Sequence, residues 1–241
     1  KYLKLKNRPD RKTFPKMKTS FQGTLRPLQQ EIRKEATQLL NKWGCSIISL
    51  YTGGGKTITS IYLACKIKLP TLIIVHRLIL INQWKASISK VCPDAKIQVL
   101  STKSKLDVNA DFYIMNAINV SKKEMGFFWT VGTLIADEIH VMATSKLSEA
   151  FYYIHPRYCI GLSATPYRSD GMDLLLNVYF GEKKIVRKLH REHIVFKVKT
   201  GFEPDYEIGV NGKMDWNSVL KSHTEDATRN ELIVKIVKFF K

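Results

Sequence analysis

The sequence predicts an α/β protein, with a parallel sheet covered by helices on both faces. Three observations predict it. Along most of the chain, short apolar runs of strand character alternate with stretches whose apolar residues recur at helical spacing. A glycine-rich turn, Thr52-Gly53-Gly54-Gly55-Lys56-Thr57, joins one apolar run to one helical run. Two later apolar runs end in chemically active residues, Asp137-Glu138 and Ser163-Ala164-Thr165. Strands alternating with helices pair in parallel, because each helix carries the chain back to the same end of the sheet. In such sheets ligands bind at the carboxyl ends of the strands. All three polar sites follow strand ends, so they are expected to converge on one edge.

The elements follow in order. Leu28, Ile32, Ala36 and Leu39 recur at helical spacing. A strand over 47–50 leads into the glycine-rich turn and a helix that Pro70 ends. A strand over 72–75 precedes a helix with Ile81, Trp84 and Ile88 on one face, which stops before Pro93. Short strands are expected at 97–100 and 112–115, and a longer one at 131–136 runs into the carboxylates. A helix over 146–153 precedes a strand over 158–162. Beyond Gly181 the pattern weakens: 185–186 and 194–198 read as short strands of an antiparallel edge. Residues 201–215 are polar and turn-rich, and 224–241 reads as one helix with Leu232, Ile236 and Phe239 on a stripe.

The glycine-rich run has the layout of a phosphate-binding P-loop: strand, glycine turn, Lys-Thr, helix. Glycines let backbone N–H groups close around phosphate oxygens, where a Cβ would block the approach. Lys56 can reach the β- and γ-phosphates and the Thr57 hydroxyl can ligate Mg²⁺. One departure is visible, since the strict pattern wants Gly or Ala where this chain has Leu50. Asp137, at a strand end, is placed to hold Mg²⁺, and Glu138 to polarise an attacking water.

These motifs together identify a resemblance. The P-loop, Asp137-Glu138-Ile139-His140 and Ser163-Ala164-Thr165, in this order and spacing, resemble motifs I, II and III of a superfamily 2 DExH-type helicase. Leu25-Arg26-Pro27-Leu28-Gln29 resembles the family's Q motif, which implies that Gln29 reads adenine. The stretch from Thr71 to Arg77, with Gln83-Trp84, resembles motif Ia, a strand and helix that touch the nucleic-acid backbone. The run Gly161 to Gly171 has the form seen in transcription-factor helicases and type III restriction motors. The tail, with Asp215-Trp216 and Arg229-Asn230, is similar to that of transcript-release helicases of large cytoplasmic DNA viruses, of poxvirus and asfarvirus type.

The resemblance implies a RecA-like first lobe over 22–195, a basic extension or linker over 1–21, and the start of a second lobe over 196–241. It implies ATP and Mg²⁺ as cofactors, with Thr52, Gly53, Gly54, Gly55, Lys56, Thr57 and Gln29 around the nucleotide. Lys56, Asp137, Glu138 and His140 would be catalytic, and Thr57 and Asp137 would hold the metal. Ser163, Ala164 and Thr165 would couple the nucleotide state to a groove in which Arg77, Gln83, Asn116 and Arg168 are the candidates. RNA or DNA would be the partner, with the transcription machinery a further one. The setting would be the host cytoplasm, a viral factory or a virion, with the nucleus left open. Phe14 or Phe21 could stack on adenine or serve as a core anchor. A second lobe supplies an arginine finger in such motors, so the 241 residues alone are expected to hydrolyse ATP barely. A double-strand translocase, a nucleotide-gated binding module and a nuclease-coupled restriction motor stay open as alternatives.

Composition bounds these readings. A chain of 241 residues with 44% hydrophobic content can bury a sizeable core. A net charge of +18 favours a polyanion, nucleic acid being the commonest, although a merely soluble basic protein is also consistent. Cys45, Cys65, Cys92 and Cys159 form no Cys-x-x-Cys pair and read as reduced, mostly buried thiols rather than a zinc site. His190 and His193 lack further ligands and lie in a charged stretch, so they read as solvated. No apolar run reaches transmembrane length.

Overall fold

The computed structural model describes residues 9–165, 171, 173–188, 194–210 and 212–240. The chain divides into two compact units, residues 1–189 and 190–241.

The first unit is built on seven parallel strands: β1 (Cys45–Leu50), β2 (Thr71–Val75), β3 (Ile97–Leu100), β4 (Phe112–Asn116), β5 (Thr133–Ala136), β6 (Tyr158–Ser163) and β7 (Lys184–Arg187). Their spatial order is β3-β4-β2-β5-β6-β1-β7. The helices are α1 (Pro27–Trp43), α2 (Lys56–Ile67), α3 (Ile79–Val91), α4 (Ala117–Val120), α5 (Ile139–Met142), α6 (Ser145–Ser148) and α7 (Asp173–Phe180).

Strand periodicity of two explains both faces at once. Ile48, Ile73, Ile114 and Ile160 join one apolar cluster with Ile32 of α1, Ile61 of α2 and Trp84 of α3. Their strand neighbours Ile47, Ile74 and Met115 join the opposite cluster with Ile139 of α5, Phe151 and Phe180 of α7. Near-continuous apolar runs are therefore required in β1, β2, β4, β5 and β6, which are buried almost throughout, and not in the edge strands β3 and β7. Gly161 on β6 makes room on the second face: a Cβ there would meet Ile139 Cδ1 at 2.9 Å and Phe180 Cγ at 3.0 Å.

Several expectations are corrected. The 185–186 strand is real but parallel to β1, with Ile48 opposite Ile185 in register. The crossover through α7 explains the direction. That helix escaped the sequence reading, since Leu174-Leu175-Leu176 is a continuous apolar run without helical period. The helix expected over 146–153 is α6 followed by a 3₁₀ turn, Glu149–Tyr153. Residues 194–198 form no strand.

Residues 9–21 pack into the first unit, of which they are part. Phe14 and Met17 join the first apolar cluster, and the buried Asp111 accepts from the backbone N–H groups of Lys18 at 2.7 Å and Thr19 at 3.4 Å. Phe14 is thus a core anchor, while Phe21 is half-buried with its ring edge against Tyr62.

The second unit contains α8 (Trp216–Glu225) and α9 (Ala227–Phe239). The helix expected over 224–241 is α9, which starts at Ala227 because Asp226 caps it, accepting from the N–H of Arg229; the N–H of Asp226 also ends the preceding α8 on Ser222 O. A cavity of about 700 Å³ lies within this unit, bordered by Phe202, Tyr206, Lys221, Ser222 and Arg229.

Candidate nucleotide and metal site

Three strand ends lie side by side at the carboxyl edge: β5, β6 and β1 are consecutive in the sheet. Ser49 stands opposite Ser163, and Ala136 opposite Gly161, which brings Glu138 to the level of Ser163. The P-loop after β1, the carboxylates after β5 and the hydroxyls after β6 are brought together, as their positions in the sequence require.

The P-loop runs from Leu50 into α2. Gly55 caps that helix with φ +87°, a left-handed conformation suited to glycine. The departure at Leu50 has a local consequence. Its side chain lies against Gly54, where a Cβ would meet Leu50 Cβ at 2.9 Å and Tyr51 O at 2.9 Å. The large residue at 50 goes with the absence of a side chain at 54. Gly54 N–H closes the turn on Tyr51 O at 2.9 Å. Thr52 and Gly53 are exposed, and Thr57 is half-buried on the first turn of α2.

Lys56 Nζ donates to Leu50 O at 2.9 Å and lies 4.0 Å from Glu138 Oε1. The amine therefore sits between the P-loop backbone and the carboxylate. Two residues of α1's start hold the loop's carbonyls. Arg26 Nη2 donates to Gly53 O at 3.1 Å, and Gln29 Nε2 donates to Gly55 O at 3.3 Å. Gln29 Oε1 accepts from Arg26 N–H at 2.8 Å, so both ends of this buried amide are engaged. One N–H and one oxygen lone pair of the amide are left over from these bonds. Arg26 was not singled out as a site residue from sequence; the arginine preceding the helix-starting Pro27 was the available signal.

Asp137 follows β5 with its N–H on Ile74 O at 3.0 Å. Burial pushes its carboxyl above the ordinary value, and a hydrogen bond from Trp84 Nε1 to Oδ2 at 2.8 Å acts in the opposite direction. Glu138 adopts φ 50°, ψ 57°, left-handed for a residue with a Cβ. This turn folds its side chain back across the edge, where Oε2 lies 3.4 Å from His140 Nδ1 and accepts from Ala164 N–H at 3.4 Å. His140 Nδ1 is 2.9 Å from Ser163 Oγ, and that oxygen accepts from Thr165 N–H at 3.0 Å. A continuous hydrogen-bonded path therefore joins the second and third motifs.

The donor set fits the implied cofactor. A threonine hydroxyl and an aspartate carboxylate are hard oxygen ligands of the kind Mg²⁺ takes beside substrate phosphates. The glycine turn ahead of a helix N-terminus, exposed at Thr52 and Gly53, suits a polyphosphate.

The groove candidates separate. Arg77 and Gln83 are exposed, beyond β2 and on α3. Asn116 departs from the expectation: it ends β4, is buried, and its Oδ1 caps α4 by accepting from Ile118 N–H at 3.1 Å. Arg168 and the His190–His193 pair lie outside the described residues. His76 beside Arg77 was not anticipated. Its Nδ1 is buried without a hydrogen-bond partner, and burial, then the Arg77 charge, push its pKa down.

Comparison with known proteins agrees with this geometry. Residues 22–168 match the family described as type III restriction enzyme, res subunit. The chain belongs to that family. It is the N-terminal lobe type of superfamily 2 helicases, with a RecA-like sheet. A protein of Invertebrate iridescent virus 6, provisionally named helicase 161L, is 47% identical over 95% of this chain and 53% of its own length. An African swine fever virus protein, provisionally named ATP-dependent RNA helicase QP509L, is 28% identical over 94% of this chain and 46% of its own. The chain spans about half the length of these relatives. The SWI2/SNF2 ATPase core of Sulfolobus solfataricus, solved with double-stranded DNA, superposes with a TM-score of 0.58 at 18% identity, covering 70% of this chain and 38% of that one. At that identity the likeness concerns the fold.

Proposed function

We propose that this chain is the ATP-binding motor lobe of a viral helicase or translocase, coupling ATP hydrolysis to movement on, or unwinding of, nucleic acid during transcription. The observation that carries the reading is the convergence of Lys56, Asp137, Glu138 and the His140–Ser163 pair on one sheet edge.

The chain's own groups suggest the sequence of events. Phosphate oxygens replace Leu50 O as the partner of Lys56 Nζ, which the 2.9 Å contact holds at the mouth of the loop. Backbone N–H groups of Gly53 to Lys56 close on the phosphates. Thr57 and Asp137 supply the oxygens for Mg²⁺, which when bound neutralises phosphate charge. Glu138 orients the attacking water, steadied by Ala164 N–H and His140. Loss of the γ-phosphate alters the Glu138 side chain, and the His140–Ser163–Thr165 path carries that change to the segment beyond β6. Exposed Arg77 and Gln83 contact backbone phosphates, so binding is insensitive to base sequence.

RNA is favoured by the name of the asfarvirus relative, and duplex DNA translocation by the DNA-bound SWI2/SNF2 neighbour. ATP hydrolysis by this chain, and by a form extended to the length of its relatives, decides between them. Each is assayed with single-stranded RNA, single-stranded DNA and duplex DNA, with Lys56→Ala as control. Stimulation of the extended form by one polymer names the substrate class. Silence with all three, or an unaffected Lys56→Ala variant, refutes the motor reading.

A further inference from the structure

Trp84 is the largest fully buried side chain of the first unit, 2% exposed. A buried indole N–H needs an acceptor. Here the acceptor is Asp137 Oδ2 at 2.8 Å, the carboxylate assigned to the metal, 53 residues away in sequence. Packing alone would be served by any large apolar side chain. The polar end of the indole is directed at one oxygen of that carboxylate.

The position of Trp84 on α3 adds a second consequence. Gln83 precedes it, and successive helix residues point about 100° apart. Gln83 is accordingly exposed while Trp84 faces inward. The helix begins at Ile79, directly after the exposed Arg77 and Leu78. One short helix thus carries a solvent-facing groove candidate and the donor that fixes Asp137.

We propose that Trp84 is a positioning residue for the metal site: its indole N–H holds Asp137 Oδ2 so that Oδ1 is presented to Mg²⁺, and it ties the placement of α3 to that carboxylate. The inference rests on the reading of Asp137 as a metal ligand. Outer partners of metal ligands fix ligand orientation, and their loss commonly costs 10–100-fold in metal affinity.

The test uses binding rather than turnover. Trp84→Phe keeps an aromatic ring and removes the N–H. ADP affinity is measured calorimetrically for the unmodified chain and the variant, with excess Mg²⁺ and separately with EDTA. The Mg²⁺-dependent gain is expected to fall about tenfold, with metal-free affinity within about twofold. In an Asp137→Ala background the same substitution is expected to change neither affinity. An equal gain in variant and unmodified chain overturns the inference, as does a parallel loss with and without Mg²⁺. If the unmodified chain shows no Mg²⁺ gain, the metal-site reading fails and the inference with it.

Where Trp84→Phe does not hold its fold, the unmodified chain decides. Trp43, Trp129 and Trp216 are 45%, 65% and 69% exposed, so one indole N–H resonance should be protected from solvent exchange. That signal is expected to shift with Mg·ADP and stay in place with ADP in EDTA. A signal indifferent to Mg²⁺ overturns the proposal.

Discussion

Glu138 shows most directly how a single residue trades stability for chemistry. Its left-handed backbone, φ 50° and ψ 57°, costs on the order of 1 kcal/mol for a side chain with a Cβ. The cost is met because the same turn brings the carboxylate over Lys56, His140 and the Ala164 N–H. Its contacts there are long, 3.4–4.0 Å, so they return little stability. Glu138→Gly should therefore raise the melting temperature by about 2–4 °C, the shift that ~1 kcal/mol produces in a domain of this size. In the form extended to the length of the relatives it should also lower nucleic-acid-stimulated hydrolysis by about 10²-fold while ADP still binds. Scanning calorimetry and a phosphate-release assay read the two effects. A lowered melting temperature would show that Glu138 is held by contacts rather than strained into place.

Most of the site was legible at this scale. Lys56, Asp137 and Ser163 could be placed because each follows a strand end, and strand ends are fixed by where an apolar run stops. Trp84 and Arg26 were harder. A tryptophan on an apolar helix face reads as core, which it is, and sequence carries no sign of the carboxylate its N–H will find. Asn116 is ambiguous for the complementary reason: a polar residue after a strand suits a groove and a helix cap equally, and the short α4 that follows makes it a cap.

Among the elements, the strands were more legible than the short helices. Strands β1, β2 and β4 are covered on both faces, so their apolar runs are unbroken and easily bounded. Helices α4, α5 and α6 have four residues each, too few for any period to register. The packing of residues 9–21 was also hidden, since Phe14 and Met17 are lone apolar residues in a basic stretch. Asp111 fastens that stretch to the sheet. Its Oδ1 accepts from Lys18 and Thr19 N–H, and its Oδ2 from Lys96 N–H at 3.0 Å. An amide at 111 would turn an NH₂ toward a backbone donor on one side. Asp111→Asn should cost about 1–3 kcal/mol, the penalty of a buried donor left unpaired. Trypsin should then cut first at Lys16 and Lys18, with residues beyond β1 still protected. Unchanged cleavage kinetics at these two lysines would mean that Phe14 and Met17 hold the segment without the carboxylate.

For the whole molecule, charge is the property that no single motif contains. The chain carries +18, far more than the charged residues of its sequence motifs supply. A surplus of this size draws any polyanion by releasing its counterions, and the strength of that effect is read in salt. If Arg77 and its neighbours neutralise about four phosphates of a single strand, the logarithm of affinity should fall with the logarithm of salt at a slope of about 2.8. Between 50 and 200 mM salt that slope amounts to a loss of about 50-fold. Fluorescence anisotropy with labelled homopolymers of different base should give the same slope for each, because phosphates carry no base identity. Arg77→Ala should reduce the slope by about 0.7, one phosphate contact, without creating a preference among the polymers. A slope near zero would mean that the surplus charge serves solubility alone. A normal slope that Arg77→Ala leaves untouched would move the groove away from the β2–α3 junction while keeping nucleic acid as the partner.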